Sequence, residues 1–92
     1  MIVRIVTEGQ FRVEDELITE LNEIDNKLVL AVEQGDREAF HSLFKQMQDL
    51  VRVQGSPLSE DELVPSDVVI PPPDATFEEA ADHFVGEGLI SG

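Results

Sequence analysis

Apolar residues recur at steps of three and four along residues 15–53, in two stretches of similar length. The residues at this spacing are, in the first stretch, Leu17, Leu21, Ile24, Leu28 and Ala31 or Val32, and in the second, Phe40, Leu43 or Phe44, Met47 and Leu50 or Val51. Such steps place side chains on one face of an α-helix. The pattern therefore predicts two amphipathic helices, each with one face that must pack against another element.

The two predicted helices are separated only by Gln34-Gly35-Asp36. Gly35 can adopt the left-handed conformation that ends a helix, and Asp36 can accept a backbone hydrogen bond as the N-cap of the next one. Because the connection is this short, the helices are expected to be antiparallel neighbours. The second helix is expected to end near residues 53–54, because Gly55 and Pro57 cannot continue it.

The first thirteen residues have the alternation of β-strands. Residues 1–7 are rich in β-branched side chains, Glu8-Gly9 is a two-residue turn signal, and residues 10–13 alternate polar with apolar side chains. These features predict a β-hairpin with one face on the helices. Residues 1–6 are too short an apolar run, and are interrupted by Arg4, to be a signal peptide or a membrane span.

The second half of the chain has weaker patterns. Residues 67–70 have strand character, and the prolines at 71–73 end them abruptly, so they are an edge strand or an extended arm. Residues 59–62 have the spacing of a capping box, but Pro65 limits any helix there to about one turn. Residues 76–79 form a better capping box, which opens a helix to about Phe84, and Phe77 and Phe84 are interpreted as core residues.

The predicted fold is α+β: an N-terminal β-hairpin, a long antiparallel helix pair, a possible third strand and a short C-terminal helix. The 92 residues are predicted to form a single domain with one modest core. The chain has no cysteine, so neither disulfides nor thiolate metal sites stabilise it.

Acidic side chains dominate the composition. The chain has 20 acidic and 6 basic residues, for a net charge of −14, and no Lys or Arg follows Arg52. Nucleic acids and anionic lipids are bound through Lys and Arg, so direct binding of nucleic acid or membrane is disfavoured. The acidity itself has two interpretations: a solvated or salt-adapted surface, or attraction to a basic partner.

The residue types associated with catalysis give no convincing site. His41 adjoins the apolar face of the second helix, and Asp82 and His83 are adjacent helical residues whose side chains point in different directions. Residues 60–62 lack the loop pattern of calcium binders, and the glycines at 86 and 88 follow a helix instead of opening one. We therefore predict no catalytic, cofactor or metal site, and a protein that is not an enzyme.

Motifs along nearly the whole chain resemble the PspAA family. They are Met1-Ile2-Val3-Arg4-Ile5, Glu8-Gly9-Gln10-Phe11, Leu21-Asn22 with Asp25, Gly35-Asp36, Asp61-Glu62-Leu63-Val64-Pro65-Ser66-Asp67, Val68-Val69-Ile70-Pro71-Pro72, Asp74 and Glu87-Gly88-Leu89-Ile90. Members of this family are small domains associated with phage shock protein A, an ESCRT-III-like, membrane-remodelling protein of the envelope stress response.

The resemblance implies a non-catalytic adaptor or regulator whose partner is a helical protein like phage shock protein A. Such a domain is expected in the cytoplasm, reaching the inner face of the membrane only through that partner. The alternative is a free-standing acidic interaction module, such as a nucleic-acid mimic or an inhibitor of a basic protein. Self-association stays open.

The surface expected to meet the partner lies at the C-terminal end. Leu89 and Ile90 are either core residues or apolar anchors for a partner helix, and neighbouring acids would form a polar rim around such anchors. The predicted rim residues are Glu78, Glu79, Asp82 and Glu87.

Overall fold

The computed structural model describes residues 1–62, 64–86 and 88–90. Its elements in chain order are β1 (Ile2–Ile5), β2 (Gly9–Arg12), α1 (Asp15–Gln34), α2 (Arg37–Gln54), β3 (Ser56–Pro57), β4 (Val68–Ile70) and α3 (Phe77–Ala81). The predicted α+β fold, with its hairpin, long helix pair and short C-terminal helix, is confirmed.

The strands form one four-stranded sheet in the order β3-β2-β1-β4. β1 and β2 are antiparallel, with Val3 opposite Phe11, and β4 runs parallel to β1, with Val68 opposite Val3. Of the predicted stretch 67–70, Val68–Ile70 therefore forms an edge strand, where the prolines that follow need not donate to a ladder. β3 pairs with β2 through Ser56 and Pro57 and was not predicted.

The hairpin turn differs from the predicted Glu8-Gly9 pair. Ile5 pairs with Gly9, so the loop consists of the three residues between them, and Glu8 N–H donates to the Ile5 carbonyl at 2.9 Å. Thr7 adopts a positive φ of 77°. The register explains the difference, because pairing Val3 with Phe11 keeps both buried side chains on the helix-facing side of the sheet.

The connection between α1 and α2 forms as predicted. Gly35 has a φ of 66°, its N–H donates to the Val32 carbonyl at 3.1 Å, and Asp36 N–H donates to the Ala31 carbonyl at 2.9 Å. These two bonds make a Schellman motif. The Asp36 carboxylate accepts from Ala39 N–H at 3.1 Å, which caps α2.

Glycine after α2 is required for a different reason. Gly55 is extended, with a φ of −80°, and a Cβ there would lie 2.5 Å from the Val51 carbonyl oxygen. The missing side chain thus lets the end of α2 turn directly into β3 beside β2.

The hydrophobic core lies between the sheet and the helix pair. Phe84 is fully buried, Phe77 is half-buried against the core, and both rings pack edge-to-face on Phe40 at 5.7 and 5.1 Å. The prediction of a core position is confirmed for Phe84, whereas Phe77 packs at the edge of the core. α3 begins with the predicted capping box, in which Thr76 and Glu79 exchange side-chain to backbone hydrogen bonds.

Candidate functional site

A carboxylate lies on the buried face of α1. Asp25 is fully buried, one helical turn after Leu21 and one before Leu28. Its Oδ1 accepts a hydrogen bond from Leu89 N–H at 3.0 Å, and its Oδ2 accepts one from Ile90 N–H at 2.8 Å. Both oxygens therefore have partners inside the core, which is the condition for burying such a group. We call this pair of bonds the Asp25 clamp.

The clamp depends on the glycine that precedes it. Gly88 has a φ of 77°, and a Cβ at this position would lie 2.6 and 2.7 Å from the two Asp25 oxygens. Only glycine satisfies both the positive φ and the close approach of the backbone to the carboxylate. The C-terminal segment is thus held against α1 by its backbone.

The clamp decides where the predicted apolar anchors lie. Ile90 is 7% exposed and belongs to the core, and Leu89 is half-buried at the edge of the core. The sequence left open whether Ile90 is a core residue or an apolar anchor for a partner, and in the structure it is a core residue. Glu87 lies outside the described residues.

Glu78 is exposed and forms an ion pair with Arg37 at 2.5 Å. The guanidinium of Arg37 also lies over the Phe77 ring, 4.7 Å from its centroid. The hydrogen bond from Arg37 lowers the pKa of Glu78, and the same bond raises the pKa of Arg37. This contact ties the start of α2 to the start of α3.

The other two acids of α3 have different surroundings. Glu79 accepts from Thr76 N–H at 3.0 Å, and this bond lowers the pKa of the Glu79 carboxyl. Asp82 is the exposed C-cap of α3. Glu79 therefore caps the helix and Glu78 is paired with Arg37, while Asp82 is the exposed acid at the end of α3.

A second charged contact joins the hairpin turn to the end of α2. Arg52 donates through Nε and Nη2 to the two oxygens of Glu8, at 2.6 and 2.5 Å, and through Nη1 to Asp49 at 2.9 Å. The hydrogen bond with Arg52 lowers the pKa of Glu8. A bidentate pair of this kind fixes geometry as well as charge, so it holds the turn on α2.

Several open depressions occur on the described part of the surface. The first, of ≈ 570 Å³, lies where the segment after β3 crosses the sheet and is lined largely by polar side chains, among them Arg4, Glu8 and Glu62. Gln10 Nε2 donates to the Val64 carbonyl and to Ser66 Oγ, both at 2.8 Å, and this holds the segment in place.

The second depression, of ≈ 480 Å³, lies between α1 and α2, and we call it the helix-pair groove. Ile24 and Leu50 are its apolar residues, and both are half-buried. Its other lining residues are Glu20, Glu23, Lys27, Gln46 and Asp49. The groove was not predicted, because the core-facing pattern included Ile24 and, as one of two alternatives with Val51, Leu50.

Groups suited to metal chemistry are scattered. Within residues 1–62, 64–86 and 88–90, no three His, Asp or Glu side chains converge as metal ligands. His41 and His83 are both exposed. No helix in the described part of the chain is long and apolar enough to cross a membrane.

Comparison with known proteins gives one result. The family model PspAA, described as PspA-Associated protein, matches residues 1–92. Neither the curated proteins nor the solved structures compared with the chain gave a match.

Proposed function

Because this chain belongs to the PspAA family of PspA-associated proteins, we propose that it is a non-catalytic adaptor or regulator of a phage shock protein A-like partner. The proposal places it in the cytoplasm and in the envelope stress response. The observation that carries the proposal is the family match, which extends over all 92 residues. An association named for a whole family implies a partner, and a partner requires a binding surface on this domain.

The use of polar groups in the fold supports a binding role. Asp25 serves the backbone of the C-terminal segment, Glu79 caps α3, and Glu8 holds the hairpin turn through Arg52. Each of these acids contributes to a rigid shape. A domain whose side chains are committed in this way can present a preformed surface, which reduces the entropy lost on association.

Charge supports a route to the membrane through the partner. With a net charge of −14, the domain is repelled by anionic headgroups and attracted to basic protein surfaces. Any recruitment to the inner face of the membrane therefore depends on a protein that itself binds lipid. This is the reason for placing the domain on the partner and not on the bilayer.

The test is sedimentation with liposomes of mixed anionic and zwitterionic phospholipids. The purified domain is mixed with liposomes alone, with the phage shock protein A-like protein of the same organism, and with both. We expect the domain to sediment only when partner and liposomes are both present. Zwitterionic liposomes that do not bind the partner are the control.

Two results would contradict the proposal. Sedimentation of the domain with liposomes in the absence of the partner would show direct lipid binding. If the partner sediments with the liposomes and the domain does not, the two proteins do not associate. If the domain instead captures unrelated basic proteins, the alternative of an acidic interaction module is favoured.

A further inference from the structure

We propose that the helix-pair groove is the docking site for a basic amphipathic helix of the partner protein. The proposal deepens the function proposed above by assigning a surface to the association, and it rests on that function for the partner's identity. The chemistry of the occupant is inferred from the groove itself.

The position of the groove follows from helical spacing. Residues 20, 23, 24 and 27 share one face of α1, and residues 46, 49 and 50 share one face of α2. The helices are antiparallel neighbours, so these two faces border the same furrow. Val53, three residues beyond Leu50, is 80% exposed and extends the apolar strip by one turn.

The floor of the groove, formed by Ile24 and Leu50, is suited to apolar side chains from one face of a helix. Ile24 and Leu50 are each only half-buried, so both keep apolar surface accessible in the folded domain. An amphipathic helix recognises such a floor with apolar residues at steps of three and four. Covering the floor would remove apolar area from water, which is the main favourable contribution to helix docking.

The rim determines the charge of the occupant. Glu20 and Glu23 line the groove, and Glu20 also lines a neighbouring depression with Glu14 and Glu16. These four acids make no ion pair within the described part of the chain. Among the described residues, Lys27 is the one basic residue that lines either depression. Asp49 also lines the groove, but it is paired with Arg52 at 2.9 Å. The rim therefore has a net negative charge from Glu20 and Glu23, and Lys or Arg side chains would complement it.

The same charges disfavour two other occupants. A second copy of this chain carries a net charge of −14, and docking through the same groove would bring its Glu20 and Glu23 towards the rim. An anionic lipid surface would be repelled for the same reason.

From Glu16 to Lys27 the rim of α1 extends for about 17 Å at 1.5 Å per residue, which accommodates roughly three turns of a partner helix.

The decisive variant is Glu20→Lys with Glu23→Lys, which reverses the rim. Its matched control is Glu33→Lys with Glu60→Lys, which changes net charge equally at exposed positions outside the groove. Binding to the phage shock protein A-like protein is measured by calorimetry. We expect the rim variant to bind at least about tenfold more weakly, which corresponds to about 1.4 kcal/mol, while the control binds nearly as the wild type. Circular dichroism checks that both variants are folded.

A peptide probe tests the groove independently of that protein. The probe is a synthetic peptide of about 18 residues, long enough for a helix in water, with leucines at steps of three and four and lysines elsewhere. Its control has the same composition with leucines spread around the helix. In NMR titrations, we expect the first peptide to shift amides at residues 14–27 and 46–54, and the control peptide to shift them far less.

The outcomes separate the groove from the proposed function. If the partner binds the rim variant and the wild type equally, the groove is not the docking site, although the association stands. If the wild type fails to bind the partner yet binds the probe peptide in the groove, the proposed function fails and the groove remains a helix-binding site. Peptide shifts spread over the acids of residues 60–82 would overturn the groove proposal.

Discussion

The Asp25 clamp makes a sharp prediction about stability. In Asp25→Asn, one carboxylate oxygen becomes an NH2 group, which cannot accept from either Leu89 N–H or Ile90 N–H. The change therefore removes one hydrogen bond to a carboxylate and faces two donors towards each other inside the core. Hydrogen bonds to charged groups contribute about 1.5 to 3 kcal/mol, so we expect the free energy of unfolding to fall by about that amount.

Detachment of the C-terminal segment sets an upper limit on this loss. If residues 88–90 leave α1, the protein forfeits the clamp and the burial of Ile90, which contributes about 1.5 to 3 kcal/mol. A larger loss than the clamp and this burial together would mean that the segment stabilises the rest of the core. Loss of one hydrogen bond alone leaves the native state favoured if total stability is in the usual range of about 5 to 15 kcal/mol.

Urea denaturation measures the change in the free energy of unfolding, and amide exchange measures detachment of the C-terminal segment. The control is Glu23→Gln, the same chemical change at an exposed acid of α1, which is expected to stay within about 0.5 kcal/mol of the wild type. Exchange of the Leu89 and Ile90 amides should accelerate in Asp25→Asn alone. A loss below about 0.5 kcal/mol, with both amides still protected, would refute the structural role assigned to Asp25.

Three further predictions concern packing and charge. Phe44→Ala should destabilise the domain by about 2 to 5 kcal/mol in denaturant melts, because Phe44 is buried between Phe40 and Phe84, and a loss below about 1 kcal/mol would contradict its place in the core. The melting temperature should rise with sodium chloride, since about 0.1 M salt screens repulsion among acids beyond about 10 Å; a flat curve would mean that these charges do not interact. Because Arg52 lowers the folded-state pKa of Glu8 below its unfolded value near 4.5, the pair stabilises the protein above that value, and the contribution is lost as pH falls through the folded pKa. In Glu8→Gln, this part of the pH dependence should be missing from denaturation midpoints measured between about pH 3 and 7, and an unchanged profile would mean that the pair does not contribute.

Local signals were sufficient to predict the helix pair. Gly35 and Asp36 act through bonds within five residues of themselves, and the capping box of Thr76 and Glu79 spans three. Such interactions depend on residue types at fixed offsets, which a sequence displays directly. β3 is the opposite case, because a two-residue strand that contains Pro57 has no periodicity to detect.

The Asp25 clamp could not be predicted from spacing. From a pattern of apolar residues, an acid is predicted to lie on the surface. The N–H groups that donate to Asp25 lie 64 and 65 residues away along the chain. The available signal was an acid one turn from two leucines, together with a glycine near the C-terminus. The sequence does not show that Asp25 and the segment after Gly88 meet. Backbone amides are present at every non-proline position, so any other segment could have supplied the two donors.

The clamp also changes how the predicted anchors must be tested. Ile90→Asp would place a second carboxylate beside Asp25 in a site where Ile90 is 7% exposed. Burial of an unpaired charge is strongly unfavourable, so we expect the C-terminal segment to detach and the melting temperature to fall.

Loss of partner binding in Ile90→Asp would therefore report detachment of the segment, and not a missing contact with the partner. Leu89→Ala is the better test of a contact with the partner, because Leu89 is half-buried. The substitution also keeps the backbone N–H that donates to Asp25. If Leu89 contacts the partner, Leu89→Ala should weaken binding while exchange of the Ile90 amide stays slow. Weaker binding accompanied by faster exchange of that amide would show that Leu89 acts through the fold.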